Sequence, residues 1–225
     1  MSSPVMSTSD FAHARELMVE QQVRPWDVLD TRVLDVLATL PRDAFVPEAC
    51  RALAYADLQL PLGHGEVMLK PILEGRALQS LALQAHEDAL EIGTGSGWFA
   101  ACMGRLARSV TSIEIRDEFA VAARARLATQ GLGNVEVEIA DAMHYAPGRQ
   151  FDAVCVSGAV DVIPARFLEW LRPGGRMFVV RGRAPVMEAV LLTRGSDPAD
   201  VGIESLFETE LPYLAGAAPA PSFDW

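Results

Sequence analysis

The segment Glu91-Ile92-Gly93-Thr94-Gly95-Ser96-Gly97 constrains this chain more than any other. It follows a short apolar, β-rich run and precedes a helical pattern. Its glycines permit a tight turn that brings backbone close to a ligand. In a doubly wound sheet, the crevice at this point takes a nucleotide-like molecule. Position 98 is Trp, so the G-x-G-x-x-G spacing of a dinucleotide site is not met. The pattern is instead E-x-G-x-G-x-G, with an acidic residue at the strand end.

That carboxylate suits a cationic ligand. S-adenosylmethionine carries a sulfonium and an amino group but no pyrophosphate, so it tolerates Glu91 and has less need of a helix N-terminus. Glu114 ends the next strand, 21 residues beyond Gly93, where a carboxylate accepts both ribose hydroxyls. Taken alone, it reads equally well as an exposed strand-end residue. Asp141, just past the third strand, is placed either to accept from an adenine amino group or to cap the next helix. With Thr94, Ser96, Ile115 and Ala142, these residues form the candidate cofactor site.

The surrounding pattern is one of alternation. Strands are expected at 89–92, 109–115, 135–139, 151–157, 176–180, 189–193 and 206–211. Helices are expected at 98–106, 117–130, 142–145 and 164–171. Such alternation implies a mainly parallel sheet with helices on both faces. The last two strands have no helical pattern between them and should form an antiparallel hairpin. Residues 1–10 are small, polar and expected to be disordered. Residues 11–80 read as a mostly helical N-terminal lobe, with Asp10 as the first N-cap, Pro25 and Pro41 as helix stops and Pro71 opening a helix. The cofactor domain then covers 81–215, and an Ala/Pro-rich tail covers 216–225.

The glycine loop, the two carboxylates and Leu171-Arg172-Pro173-Gly174-Gly175-Arg176 together resemble the class I S-adenosylmethionine-dependent methyltransferases. The resemblance implies a Rossmann-like α/β fold with a doubly wound seven-stranded sheet of order 3-2-1-4-5-7-6 and strand 7 antiparallel. It also implies S-adenosylmethionine as cofactor and S-adenosylhomocysteine as product. Further segments narrow the match. Arg32-Val33-Leu34-Asp35-Val36-Leu37, Leu40-Pro41-Arg42-Asp43-Ala44-Phe45-Val46-Pro47, Ala54-Tyr55-Ala56-Asp57, Leu60-Pro61-Leu62-Gly63-His64-Gly65 and Phe151-Asp152-Ala153-Val154 resemble the protein-L-isoaspartate O-methyltransferases from about residue 15 to 215. That family implies carboxyl methylation of L-isoaspartyl residues, a step in protein repair.

One departure falls at the acceptor wall. After Gly-x-Gly the family reads Gln-Thr-Ile-Ser, then one residue and Pro. Here the stretch is Glu66-Val67-Met68-Leu69-Lys70-Pro71, so Val67 and Leu69 replace two hydroxyls and Glu66 adds negative charge. His64, Glu66, Val67, Met68 and Leu69 are the candidate acceptor-side residues. No catalytic acid or base is assigned. A different protein or small-molecule acceptor, or a non-catalytic cofactor-binding role, stays open beside isoaspartyl methylation.

Composition bounds the partners. With 19 Lys+Arg against 30 Asp+Glu the formal net charge is −11, which opposes unassisted binding to nucleic acid. Cys50, Cys102 and Cys155 are isolated, and the N-terminus lacks a signal-peptide pattern, so a cytoplasmic location is expected. No stretch approaches a membrane span. A monomer or homodimer is expected. His13, His64, His86 and His144 show no metal spacing, and no G-x-S-x-G elbow recruits Ser96 or Ser157 as a nucleophile. Arg172, Arg176, Arg181 and Arg183 read as solubilising charge or as recognition of an acidic acceptor.

Overall fold

The structure, a computed structural model, describes residues 7–197 and 200–220. Helix α1 (Thr8–Leu17) runs on through a π-helical turn, Met18–Val23, and a 3-10 turn at Arg24–Trp26 that contains Pro25. Its cap is Ser7, not Asp10. Ser7 Oγ accepts from the Asp10 backbone N–H, and the Asp10 carboxylate accepts from that of Ser7 at 2.8 Å. The reciprocal pair orders residues 7–10, four of those expected to be disordered; residues 1–6 lie outside the described ones. Helix α2 (Thr31–Thr39), the hairpin β1 (Leu60–Gly63) and β2 (Glu66–Met68), and α3 (Pro71–Leu81) complete the lobe.

The large sheet comprises β3 (Asp88–Ile92), β4 (Ser109–Glu114), β5 (Val135–Ile139), β6 (Phe151–Val160), β7 (Leu171–Arg183), β8 (Val186–Arg194) and β9 (Val201–Glu208). Helices α4 (Trp98–Leu106), α5 (Asp117–Thr129) and α6 (Ala165–Glu169) connect its parallel part. The spatial order is β5-β4-β3-β6-β7-β8-β9. The α/β class, the seven strands and the antiparallel hairpin of the last two are as expected.

The order is not. Counting along the chain it is 3-2-1-4-5-6-7 rather than 3-2-1-4-5-7-6. Only Ala184 and Pro185 separate β7 from β8. A parallel neighbour needs a crossover of about a dozen residues, whereas a two-residue link enforces a hairpin. The sixth strand therefore lies against the fifth, and the seventh takes the edge.

Two smaller differences matter for the site. The expected helix at 142–145 is a turn, held by the Asp141 carboxylate accepting from the Met143 N–H at 2.8 Å and by the Asp141 carbonyl accepting from the His144 N–H at 3.0 Å. The last strand also starts and ends earlier than expected, which releases 209–217 to run back across the sheet's end.

Period-two alternation divides the core between the two faces of the sheet. Ala153 and Cys155 of β6, with Phe178 and Val180 of β7, join the apolar cluster under the N-terminal lobe and α4. Val154, Val156, Met177 and Val179 join the cluster with Phe167 and Trp170 on the other face. At the strand starts, remote from the glycine loop, Asp88 accepts from Arg108 at 2.6 Å, Ser109 at 2.7 Å and Arg172 at 3.1 Å. Arg172 also binds Asp152, Arg176 binds Glu87, Arg181 binds Glu188, and Arg183 binds Asp161. All four arginines considered for acidic-acceptor recognition are thus neutralised within the chain.

Candidate active site

The glycine loop joins β3 to α4 at the carboxyl ends of the parallel strands. Gly93, Gly95 and Gly97 have φ of 92°, 50° and 85°, a region that side-chain-bearing residues rarely adopt. Their roles differ. A Cβ on Gly95 would stand 3.0 Å from Leu62 Cδ1 of the β1–β2 hairpin, and one on Gly97 would stand 3.0 Å from Ala123 Cβ of α5. Gly95 thus admits the hairpin, while Gly97 caps α4 and lets two helices approach.

Beside the loop lies an open pocket of about 720 Å³. Gly93, Gly95, Glu114, Ile115, Asp141 and Ala142 line it, all of them expected cofactor residues. Glu114 Oε2 accepts the Gly95 N–H at 2.8 Å, and Oε1 accepts the Arg116 N–H at 3.0 Å. Asp141 lies at the rim, paired with His144 Nδ1 at 2.8 Å. The hydrogen bonds from His144 and the Met143 backbone hold its carboxyl below the usual aspartate range. Asp141 therefore caps a turn, where a helix was expected, and also lines the pocket. Apolar walls come from Ile92, Ile113, Ile115, Leu62 and Phe119. Two separated carboxylates above apolar walls suit a nucleoside, whose hydroxyls and amino group are donors and whose base is flat and apolar.

The remaining loop residues face elsewhere. Thr94 and Ser96 line a smaller cavity of about 280 Å³ beneath the hairpin, with Glu91, Met68, Leu69, Phe99 and Glu74. Leu62, Val67, Gly93, Gly95 and Ser157 border both cavities, so the two meet across the loop. Thr94 Oγ1, Ser112 Oγ and Glu91 form a hydroxyl relay, and Ser157 Oγ donates to Glu91 Oε1 at 3.4 Å. Burial pushes the Glu91 carboxyl up to about 8, against the Ser112 hydrogen bond and with the Glu114 charge adding to the rise.

The acceptor-side residues separate. Glu66 and Val67 line the larger pocket. Glu66 is paired with Arg116 at 3.0 Å, so the negative charge it was expected to add is offset. His64 lines neither cavity. It sits at the hairpin tip with φ 54°, its Nε2 2.7 Å from Glu118 Oε1 and its ring edge-on to Phe119. It clasps the hairpin to α5 and so, contrary to expectation, does not belong with the acceptor-side residues.

Sequence reasoning missed Leu62 as a wall, Phe119, and the residues Pro212, Tyr213, Leu214 and Ala215. The last four belong to the returning segment. Pro212 O accepts from Ala159 N at 2.8 Å, and Leu214 N donates to Ala159 O at 2.9 Å, which lays this segment along the end of β6. Leu62 could have been found from its place beside the Gly63-His64-Gly65 turn. The returning segment carries no motif.

Sheet, loop and pocket together define the class I S-adenosylmethionine-dependent methyltransferase fold. Within that class, the chain belongs to the protein-L-isoaspartate(D-aspartate) O-methyltransferase family, whose sequence model matches residues 13–199. It is 35% identical to protein-L-isoaspartate O-methyltransferase 1 of Rhodopseudomonas palustris (strain HaA2), over 96% of this chain and 91% of that one. It is 38% identical to its counterpart from Syntrophobacter fumaroxidans (strain DSM 10017 / MPOB), over 84% and 88%. Among solved structures, a Plasmodium falciparum protein described as a putative protein-L-isoaspartate O-methyltransferase, in complex with S-adenosyl-L-homocysteine, superposes with a TM-score of 0.78 at 15% identity, covering 89% of this chain and 97% of that one.

Proposed function

We propose that this chain transfers the methyl group of S-adenosylmethionine to the free carboxylate of L-isoaspartyl residues in proteins or peptides. The observation that carries the proposal is the pocket itself, in which the family's glycine loop, Glu114 and Asp141 converge beneath the hairpin that walls the acceptor side. Glu114 lies beside Gly95 to take the ribose, and Asp141 lies at the rim to take the adenine amino group. When bound, the cofactor supplies an electrophilic methyl group on a sulfonium.

The chain's task is then alignment. A carboxylate with an ordinary pKa near 4 is already ionised at pH 7, so no general base is required. The rate comes from holding nucleophile and methyl group in line and from excluding water. Leu62 and Val67, which border both cavities, supply the dry wall at that junction. The hydroxyls that the family carries at positions 67 and 69 are replaced by aliphatic groups, so the acceptor carboxylate is oriented here with fewer donors.

The acidic balance supports a protein acceptor over nucleic acid. The three free cysteines support a reducing, cytoplasmic setting. No helix among the described residues is long and apolar enough to cross a membrane. The test is incubation with methyl-labelled cofactor and an isoaspartyl peptide beside its normal aspartyl twin. Base-labile label on the isoaspartyl peptide alone is expected; equal or no labelling of the two overturns the proposal.

A further inference from the structure

Glu74 is a buried acid on α3 that the proposed reaction does not use. It is 1% exposed, and position 74 lies outside every segment that first suggested a site. Two donors converge on one of its oxygens: Arg42 Nη1, and Trp98 Nε1 at 2.9 Å, both bind Oε2. Arg42 is itself fully buried, its Nε donating to Ala54 O at 2.8 Å and its Nη2 to Leu69 O at 2.6 Å. The guanidinium, stacked 5.4 Å from the Trp98 ring, therefore fixes the carboxyl from behind. Oε1 takes no hydrogen bond among the described residues and is left to the smaller cavity, which Glu74 lines.

That cavity is unusual in its donor set. Glu74 and Glu91 both line it together with Thr94, Ser96 and Ser157, and no cationic side chain does. A small cation entering there would complement the two acids in their ionised form. The cavity meets the nucleoside pocket at Gly93 and Gly95.

We propose that Glu74 is a cofactor-binding residue, its Oε1 accepting from the α-ammonium of the methionyl portion of S-adenosylmethionine, opposite Glu91. The inference rests on the cofactor reading given above and extends it to a residue outside the glycine loop. Burial holds the Glu74 carboxyl up to about 7, with Arg42 and the Trp98 and Arg42 hydrogen bonds opposing the rise and Asp57 adding to it. The other titratable groups coupled to it are Glu91 on β3, Cys102 on α4 and Cys155 on β6. An arriving ammonium favours the ionised form of both acids, so binding near pH 7 releases protons. Affinity then rises with pH, by at most about tenfold per unit for each proton released.

Calorimetry tests this without turnover. S-adenosylhomocysteine carries the amino-acid portion; 5′-methylthioadenosine keeps the nucleoside and thioether and lacks it. Titrations at pH 7 in two buffers of different ionisation enthalpy should register proton release from the wild-type protein with the first ligand and none with the second. Glu74→Gln keeps an oxygen for Arg42 and Trp98. It should weaken S-adenosylhomocysteine by about tenfold or more, reduce its proton release, and leave methylthioadenosine within about twofold. Equal weakening of both ligands, or of neither, overturns the assignment, as does wild-type binding without proton release. Failure of the wild-type protein to bind either ligand instead overturns the cofactor reading on which it rests.

Discussion

The backbone N–H of Gly95 donates to Glu114 Oε2 across 2.8 Å, which ties the glycine loop to the end of the neighbouring strand. The carboxylate that would hold the ribose thus also sets the loop that borders it. Removing it should loosen both. Glu114→Ala is expected to weaken S-adenosylhomocysteine by about ten- to hundredfold, the range for losing charge-assisted hydrogen bonds. Calorimetric titration measures this, and an affinity within twofold of wild type would contradict it.

The third loop glycine has a different purpose. Gly97→Ala places a Cβ 3.0 Å from Ala123 Cβ at a φ of 85°. The left-handed conformation alone costs ~1–2 kcal/mol. Denaturant unfolding should show a loss of at least that size. Ligand affinity should change far less than in Glu114→Ala, because Gly97 lines neither cavity.

The aliphatic pair at the acceptor wall makes a prediction of opposite sign. Val67 and Leu69 both border the small cavity, and a hydroxyl at either position would give an acceptor carboxylate a donor. Val67→Thr and Leu69→Ser should raise kcat/KM for isoaspartyl peptide by roughly tenfold, about one hydrogen bond to a charged group. A fall in kcat/KM for both variants would mean that the aliphatic surface is itself what the acceptor needs.

Stability at low pH should depend on the far end of the sheet. Hydrogen bonds from Arg108, Ser109 and Arg172 hold Asp88 well below its ordinary 3.8. A carboxyl whose folded pKa is depressed contributes stability above its unfolded pKa and loses it as pH falls towards the folded value. Thermal unfolding midpoints should therefore drop below about pH 4, the ordinary aspartate range. Asp88→Asn should be destabilised at pH 7 yet lose less on acidification than wild type.

Glu91 predicts the reverse trend. Its folded pKa of about 8 lies above the ordinary 4.5, because burial penalises the charge. As pH rises from 4.5 the unfolded chain ionises first, and stability falls until the folded value is reached. Glu91→Gln does not titrate. Its unfolding midpoint relative to wild type should thus rise between about pH 5 and 8. A constant difference across that range would refute the assignment of a neutral Glu91.

The parts of this site that were legible in the sequence are those a local pattern enforces. Three glycines between a strand and a helix, and carboxylates at the ends of the next two strands, carry their geometry in their spacing. Long-range partners do not. Leu214 reaches the pocket because β9 ends at Glu208 and the chain returns across β6, which no local periodicity encodes. Glu74 sits in an ordinary helical pattern, and only packing reveals that Arg42 and Trp98 hold it. The strand order is not legible either, because the two-residue link between β7 and β8 exists only once both strands extend beyond the apolar runs at 176–180 and 189–193. His64 shares the turn's sequence with acceptor-side neighbours, yet at the hairpin tip, with φ 54°, it meets Glu118 of α5 instead.

The glycine loop is gripped from two distant parts of the polypeptide. Leu62 meets Gly95 from one side, and Leu214 Cδ2 lies 3.8 Å from a Cβ position on Gly93 from the other. During synthesis the first of these emerges some 150 residues before the second. A nascent chain with its central sheet already formed still has one wall of the pocket missing. Until the returning segment has emerged, Pro212, Tyr213, Leu214 and Ala215 are missing from the pocket lining, so the pocket is the last part of the sheet's end to be completed.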